Sequence, residues 1–313
     1  MKTMVAMVGA VVIAAVSCLV LCSHTSAASD ENATPTYRST VEEVGLTFFS
    51  WDENGRPARD LKISDFVVVD NSLIVRKFRS FTPIEPPSLE TVILVDASQS
   101  VAGRFQAEVD DVLQLMHRAT WIGDDNASVM LFGSTWPKVV CAKHCLGQMS
   151  WVRLLHIPPG PVTPLYDALV MATGLAAQHR TANVRPVLIL FSDGVDTISL
   201  RSIADAVDDA IANDVQIYVV DLNFPRRGRG SRVLRRIAEE TGGAYIPPGD
   251  DAISLLSELP NYLRSGYTVT YQPPSRAAGF HSVRIQPAAD VNLRFACRNG
   301  YYYQKFSLHR GIP

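Results

Sequence analysis

From residue 90 to residue 263, the sequence alternates between short apolar runs and longer stretches that suit helices. Runs such as TVILVD and PVLILF are rich in β-branched residues, as is typical of strands that are buried on both faces of a parallel sheet. The alternation predicts an α/β fold with a doubly wound, mainly parallel sheet and right-handed crossovers. We expect strands at 91–96, 128–132, 138–141, 186–191, 216–221 and 244–246, and helices at 105–120, 165–179, 199–213, 231–241 and 250–263.

Two helix starts carry local signals. Asp250 is predicted to cap the last helix, and Pro164 is predicted to occupy the first helical position of the second, where its missing N–H costs nothing.

Both flanks of this region have β character instead. Before it, the runs VGLTFFSW, FVVVD and LIVRKFRSF are separated by turn signals at Asn54-Gly55 and Asp70-Asn71. After it come YTVTY, HSVRIQP and LRFAC. The first flank is too short for a complete sandwich, so we expect its strands to pair with strands from the other end of the chain. The predicted organisation is a small β unit at 41–85, an α/β domain at 88–264 and a C-terminal β segment at 265–313.

The first 28 residues have the pattern of a secretory signal peptide. Lys2 precedes an almost continuously apolar stretch at 4–21, and small residues at 25–28 provide a cleavage zone. The alternative is an uncleaved membrane anchor, because the apolar stretch is almost long enough to span a bilayer. We expect cleavage and export to the periplasm, the cell envelope or the medium, with no transmembrane segment afterwards. Residues 29–40 are polar and are predicted to be a flexible leader.

Export changes how the cysteines are interpreted. Cys18 and Cys22 fall in the predicted signal peptide, whereas Cys141 and Cys145 in CAKHC can form a disulfide in an oxidising compartment. His144 between them also permits a zinc site, but a convincing fourth ligand is missing at the usual spacing. The disulfide is the favoured prediction.

Oxygen-bearing side chains follow the predicted strands, where ligands of open α/β sheets bind. Two bare carboxylates at this edge would repel each other unless a cation or hydrogen-bond donors lay between them. The sequence therefore predicts a hard-cation site. Its ligands are Asp96, Ser98, Ser100, Thr163 and Asp193.

Each of these residues also has a purely structural explanation. Ser98 or Ser100 could cap the helix that follows, Thr163 could be a helix N-cap, and Asp193 could be a turn aspartate. The occurrence of all five residues in segments that meet at one edge of the predicted sheet favours a cation site over these separate structural explanations. Three neutral hydroxyls and two carboxylates suit Mg²⁺, with Mn²⁺ as a substitute, better than zinc or calcium.

The segment DASQS, from Asp96 to Ser100, resembles the DxSxS motif of the von Willebrand factor type A family, and Thr163 and Asp193 match its second and third loops. The resemblance implies a Rossmann-like fold with a metal-ion-dependent adhesion site. In such a site the hydroxyls and aspartates hold the cation, and an acidic group of a protein partner completes its coordination.

Further segments extend this resemblance over most of the mature chain. NGRPARDLKISDF, LRRIAEETGGAYI, LRSGYTVTYQP and RNGYYY are similar to an exported bacterial group called VWFA-related, which is abundant in Acidobacteria. That group commonly has glycine before the loop threonine, whereas this chain has Val162. A side chain there restricts close backbone approach, which bears on metal affinity.

The sequence gives little support to catalysis or to nucleic-acid binding. It contains no GxSxG or HExxH motif and no phosphate-cradling loop. A phosphatase-like nucleophile at Asp96 would need a second acid where Ser98 stands. The formal net charge of -2 provides no basic footprint for nucleic acid. We expect an exported, non-catalytic protein that captures an acidic group of a protein partner through Mg²⁺; the alternatives are a structural cell-envelope component and, less favoured, a hydrolase.

Overall fold

The computed structural model describes residues 43–53, 56–85, 87–143, 145, 158–181, 183–223, 228–248 and 251–303. The predicted signal peptide at 1–28, the predicted leader at 29–40 and the turn at Asn54-Gly55 lie outside these residues, as do His144 and Asp250. Within the described part of the chain, no helix is both long enough and apolar enough to cross a membrane.

The described residues form strands and helices that are numbered here in chain order. The strands are β1 (Val44–Trp51), β2 (Phe66–Asp70), β3 (Leu73–Ile74), β4 (Phe78–Pro83), β5 (Ser88–Asp96), β6 (Asn126–Phe132), β7 (Lys138–Cys141), β8 (Val184–Ser192), β9 (Gln216–Asp221), β10 (Tyr245–Ile246), β11 (Tyr267–Tyr271), β12 (Gly279–Pro287), β13 (Arg294–Cys297) and β14 (Gly300–Tyr303). The helices are α1 (Phe105–Arg118), α2 (Leu165–Ala177), α3 (Ile203–Ala212), α4 (Arg229–Thr241), α5 (Ala252–Ser257) and α6 (Leu259–Leu263).

A six-stranded sheet forms the centre of the fold, in the order β10-β9-β8-β5-β6-β7. All of its strands run parallel except β7, which pairs antiparallel with β6 at one edge. β5 pairs on both sides, and all its residues except Ser88 are buried. The predicted doubly wound α/β sheet is therefore confirmed, and the carboxyl ends of β5 and β8 lie at the same edge.

Helices cover both faces of this sheet, which explains why its strands are apolar throughout. On one face, α1 packs with α5 and α6 in a core that includes Val112, Leu115 and Leu256. On the other face, α2, α3 and α4 bury a second core that includes Leu169 and Ile237. Because neither face meets water, neither shows the alternation of polar and apolar residues that is typical of a one-sided sheet.

The two chain flanks interleave to form a separate β unit. One sheet has the order β13-β1-β11-β4 and the other β14-β12-β2-β3, so N-terminal strands pair with C-terminal strands in both. A third core, which includes Phe48 and Phe66, joins them. The buried carboxylate of Asp70 accepts hydrogen bonds from the hydroxyls of Tyr271 at 3.0 Å and Tyr301 at 2.8 Å. The predicted pairing of the two flanks is therefore confirmed.

Several helix boundaries differ from the predicted ones for local reasons. α3 begins at Ile203 rather than at 199, because Ser202 caps it and forms a reciprocal capping box with Asp205. The predicted helix at 250–263 is two helices, since Pro260 lacks the N–H needed to continue the ladder of α5. Asp251 caps α5, and Pro164 is the N-cap of α2 rather than its first helical residue.

Candidate metal site

The loop after β5 holds three of the five predicted ligands in direct contact. One carboxylate oxygen of Asp96 accepts the backbone N–H of Ser98 at 2.9 Å, and the other accepts the hydroxyl of Ser192, the last residue of β8, at 2.7 Å. The Ser98 and Ser100 hydroxyl oxygens lie 2.9 Å apart. Asp96 and Ser98 are buried, whereas Ser100 is exposed. The loop therefore presents two adjacent hydroxyls beside a buried carboxylate.

Ser98 does not act as a capping residue here. It precedes the short 3₁₀ turn Gln99–Val101, but its side chain makes no capping hydrogen bond. The hydroxyl is instead directed to Ser100, so the capping alternative for Ser98 is wrong.

Two glycines fix the path of this loop. The Gly160 N–H donates to the Ala97 carbonyl, and the Gln99 N–H donates to the Gly160 carbonyl, each at 2.8 Å. A Cβ on Gly160 would lie 1.5 Å from the carbonyl oxygen of Gly133. Only glycine, which has no Cβ, allows the backbone at position 160 to lie this close to the Gly133 carbonyl. Sequence analysis did not identify either residue, although Gly133 directly follows β6 and a glycine at a strand end is a signal of close backbone approach.

Thr163 is held against the loop that contains Asp193. Its backbone N–H donates to the Thr197 hydroxyl at 2.7 Å, and the Thr197 N–H donates to the Thr163 carbonyl at 2.9 Å. Thr163 is buried, and because Pro164 is the N-cap of α2, the alternative assignment of Thr163 as that cap is wrong. Val162 beside it is half-buried.

Asp193 follows β8 and shapes its own turn. Its carboxylate accepts the Val195 N–H at 2.9 Å, so it is a turn aspartate, as the structural alternative proposed. One acceptor bond leaves most of the carboxylate's lone pairs available. The backbone carbonyl of Asp193 accepts the Asn223 side-chain amide at 2.6 Å, which ties this loop to the end of β9.

The two aspartates interact electrostatically. Burial raises the pKa of Asp96 to about 6, its hydrogen bonds from Ser98 and Ser192 act in the opposite direction, and the negative charge of Asp193 raises it further. The negative charge of Asp193 therefore disfavours ionisation of Asp96. A cation between the two carboxylates would remove this effect.

A further buried carboxyl group lies close by on α1. Glu108 is 2% exposed, and within the described residues neither of its carboxylate oxygens has a hydrogen-bond partner. Burial raises the pKa of Glu108 to about 9, and the charges of Asp96 and Asp193 add to that effect. Sequence analysis missed this residue because a glutamate in the first turn of a helix usually faces water.

A strand-terminal aspartate at the end of β9 provides a contrast. One carboxylate oxygen of Asp221 accepts the Asn223 N–H at 2.9 Å and its side-chain amide at 2.7 Å, and the other accepts the Tyr245 hydroxyl at 2.5 Å. Protein donors therefore satisfy both oxygens of the Asp221 carboxylate, whereas the Asp193 carboxylate accepts one hydrogen bond within the described ranges.

The cysteines do not provide a competing metal site. Cys141 and Cys145 form a disulfide with their Cα atoms 5.8 Å apart, as predicted, which removes both thiolates as zinc ligands. Across the described ranges, no group of three or more histidine, cysteine, aspartate or glutamate side chains is arranged to hold a metal. A cation at the edge of the sheet would therefore depend on hydroxyl ligands as well as carboxylates.

Comparison with known proteins identifies the central part of the chain. Residues 91–195 match the sequence profile of the von Willebrand factor type A domain. The 60 kDa subunit of magnesium chelatase from Rhodobacter capsulatus is 27% identical over 114 residues, which cover 36% of this chain and 20% of that protein. The matched region is thus about a fifth of the relative's length.

Solved structures give weaker likenesses. A von Willebrand factor type A protein from Catenulispora acidiphila is 12% identical, with a TM-score of 0.47, over 79% of this chain and 76% of its own. The VWA domain of SpRpn10 is 17% identical, with a TM-score of 0.41, over 55% of this chain and 95% of its own. The profile match runs from within β5 to the loop after β8 and includes all five predicted ligands, so this region of the chain is similar to a von Willebrand factor type A domain.

Proposed function

We propose that this protein is an exported, non-catalytic binding protein that captures an acidic group of a protein partner through Mg²⁺. The proposed ligands are Asp96, Ser98, Ser100, Thr163 and Asp193. In this role the cation would be incompletely coordinated by the chain, so a carboxylate of the partner would supply a further oxygen. Domains of this family are generally interaction modules, which agrees with such a role.

The main support is the way three loops meet at one edge of the sheet. The adjacent hydroxyls of Ser98 and Ser100 lie beside the Asp96 carboxylate, and the charge of Asp193 acts on that carboxylate. This donor set consists only of hard oxygen atoms and carries two formal negative charges. It fits Mg²⁺ or Mn²⁺ that retains some water, and it does not fit a soft metal.

Support for export comes from the N-terminal sequence and from the disulfide. Residues 1–28 have the charge, apolar stretch and small-residue zone of a signal peptide. The Cys141–Cys145 disulfide is of a kind that persists in oxidising compartments. Cleavage is testable by N-terminal sequencing of the exported protein, which should begin close to residue 29; a start at Met1 would favour the anchor.

Thermal unfolding with and without cation tests the metal site. A cation at 100 times its Kd adds about 2.7 kcal/mol to the stability of the native state. For a chain of this size, that corresponds to an increase in Tm of roughly 4 °C. Mg²⁺ and Mn²⁺ should each raise the Tm above its value in EDTA, whereas Asp96→Ala should not respond.

Two milder variants make this test specific. Ser100→Ala removes an exposed hydroxyl and is expected to fold, yet it should weaken the response to Mg²⁺. Asp196→Asn removes a charge from the same edge but no proposed ligand, so it should respond as the parent does. Equal responses in the parent, Ser100→Ala and Asp96→Ala would rule out the proposed ligands.

Capture of an acidic group needs its own measurement. Peptides that contain aspartate or glutamate should bind the Mg²⁺-loaded protein, and the same peptides with asparagine or glutamine should not. Binding that persists in EDTA would contradict a metal-mediated contact.

A structural cell-envelope component is the second candidate. It is favoured if the parent shows no response to either cation, because the interleaved β unit and the disulfide would still stabilise the fold. Hydrolysis of phosphate or ester substrates that is lost in Asp96→Ala would instead favour a hydrolase.

A further inference from the structure

A polar groove lies at the end of the central sheet opposite to the candidate metal site. It has a volume of about 780 Å³ and is lined where β8 and β9 begin and where β1 and β11 pass beside them. β8 spans nine residues, so its start is about 26 Å from Ser192 beside Asp96, at roughly 3.3 Å per residue. The groove is therefore independent of the metal site. Its volume is within the range of small-molecule sites, roughly 300–1,000 Å³.

Arginine is the main charged residue in this groove. Arg180, Arg185 and Arg298 line it, together with the carboxylates of Glu85 and Asp214. Asp214 is shared, since its two oxygens pair with Arg298 at 3.1 Å and with Arg180 at 3.5 Å. Three guanidinium groups thus face two carboxylates, which leaves one formal positive charge in excess.

Of these three arginines, Arg185 is the one that makes no direct ion pair within the described residues. Its guanidinium lies 5.1 Å from the centre of the Phe49 ring, and within the described ranges it forms no hydrogen bond or ion pair. Burial lowers the pKa of Arg185, with the charge of Asp214 acting in the opposite direction. Arg185 is half-buried and arginine remains protonated in proteins, so within the described residues its guanidinium is available to pair with an anion in the groove.

Arg298, Thr47 and Thr268 add further polar groups to the lining of the same groove. The buried Nε–H of Arg298 has no hydrogen-bond partner among the described residues, although its other nitrogens bind Asp214 and the Gly45 carbonyl. The hydroxyls of Thr47 and Thr268, on β1 and β11, are 3.4 Å apart across the groove wall. Guanidinium and hydroxyl groups are the donors that bind carboxylate and phosphate oxygens.

We propose that this groove binds a small organic anion whose carboxylate or phosphate oxygens pair with the Arg185 guanidinium. Hydroxyls of Thr47 and Thr268 donate to the remaining oxygens. The anion forms a direct ion pair with Arg185. The excess positive charge of the groove favours a negatively charged ligand.

The test is a titration of the mature protein with simple anions at constant ionic strength, after divalent cations have been removed with a chelating resin so that no soluble chelator is present. Inorganic phosphate, acetate and citrate are each compared with chloride by thermal unfolding and calorimetry. A response to phosphate alone identifies a phosphate ligand, and a response to acetate and citrate identifies a carboxylate. Arg185→Gln should weaken the binding of the active anion by about tenfold or more, since it removes a charge-assisted hydrogen-bond donor.

Matched variants separate this site from general charge effects. Arg56→Gln removes an exposed arginine outside the groove and should bind the anion as the parent does. If Arg185→Gln does not fold, Arg180→Gln removes a half-exposed guanidinium from the same groove and should also weaken binding. The proposal is overturned if no anion exceeds chloride in the parent, or if the groove variants bind it as tightly as Arg56→Gln does.

Discussion

Replacement of Glu108 by glutamine is expected to stabilise the protein at neutral pH. Glu108 is buried on α1, and its carboxyl has no hydrogen-bond partner within the described residues. Burial raises its pKa to about 9 in the folded state, from an ordinary value of 4.5. Glutamine has nearly the same shape and cannot ionise. The variant therefore isolates the free energy that folding spends on keeping the Glu108 carboxyl protonated at neutral pH.

The size of the effect follows from proton linkage. Below pH 4.5 the carboxyl is protonated in both states, and it contributes no pH-dependent penalty. Between pH 4.5 and about 9, only the unfolded state releases the proton, so stability falls as the pH rises. At about 1.4 kcal/mol per pH unit, the penalty is roughly 3 kcal/mol at pH 7 and roughly 1 kcal/mol at pH 5.

Urea unfolding of the parent and of Glu108→Gln at pH 5, 7 and 8 measures this penalty. EDTA is present throughout, because a cation near Asp96 would change the charge that Glu108 experiences. The advantage of the glutamine variant should grow by roughly 2 kcal/mol between pH 5 and pH 7. Asp110→Asn, on the exposed side of the same helix, is the control and should show no such growth. A pH-independent difference between the parent and Glu108→Gln would refute the reasoning.

One chemical reduction and two further variants test how the fold is held together. Reduction of the Cys141–Cys145 disulfide should cost about 2 kcal/mol by the loop-entropy relation, and a Tm that does not respond to reductant would contradict this. Gly160→Ala should abolish the response to Mg²⁺ or prevent folding, because its Cβ has no space; a folded variant with the parent response would show that the loop can move. Asp70→Ala should lose about 2 kcal/mol in urea unfolding, since the buried Tyr271 hydroxyl loses its acceptor and the Tyr301 hydroxyl keeps only His281 Nδ1 as a partner, and a loss below about 1 kcal/mol would contradict that.

The strands of the central sheet could be predicted because the signals that specify them are local. Apolar runs such as β5 and β9 are buried on both faces, and their sequences show this directly. Helix ends were less predictable. The reciprocal capping of Ser202 by Asp205 competes with an earlier start of α3, and Pro260 divides a continuous helical pattern into two helices.

The candidate metal site was predictable in part for the same reason. Asp96, Ser98 and Ser100 are neighbours in sequence, so their contact follows from one loop. The groups that support this loop come from distant segments. Ser192 donates to Asp96 across the ends of two strands, and Gly160 fits against the Gly133 carbonyl only because three loops pack together. No local pattern encodes that packing.

The groove around Arg185 could not be predicted from local sequence patterns, because its walls come from segments that are far apart in the chain. Its walls come from β1 and β11, which pair in register with Thr47 opposite Thr268, more than 200 residues apart in the chain. Arg185 itself lies at the start of a strand whose sequence predicts only burial. The interleaved β unit brings the two threonines to the end of the sheet where ligands of open α/β folds do not usually bind. The β unit thus provides one wall of a second site that the central α/β domain could not form alone.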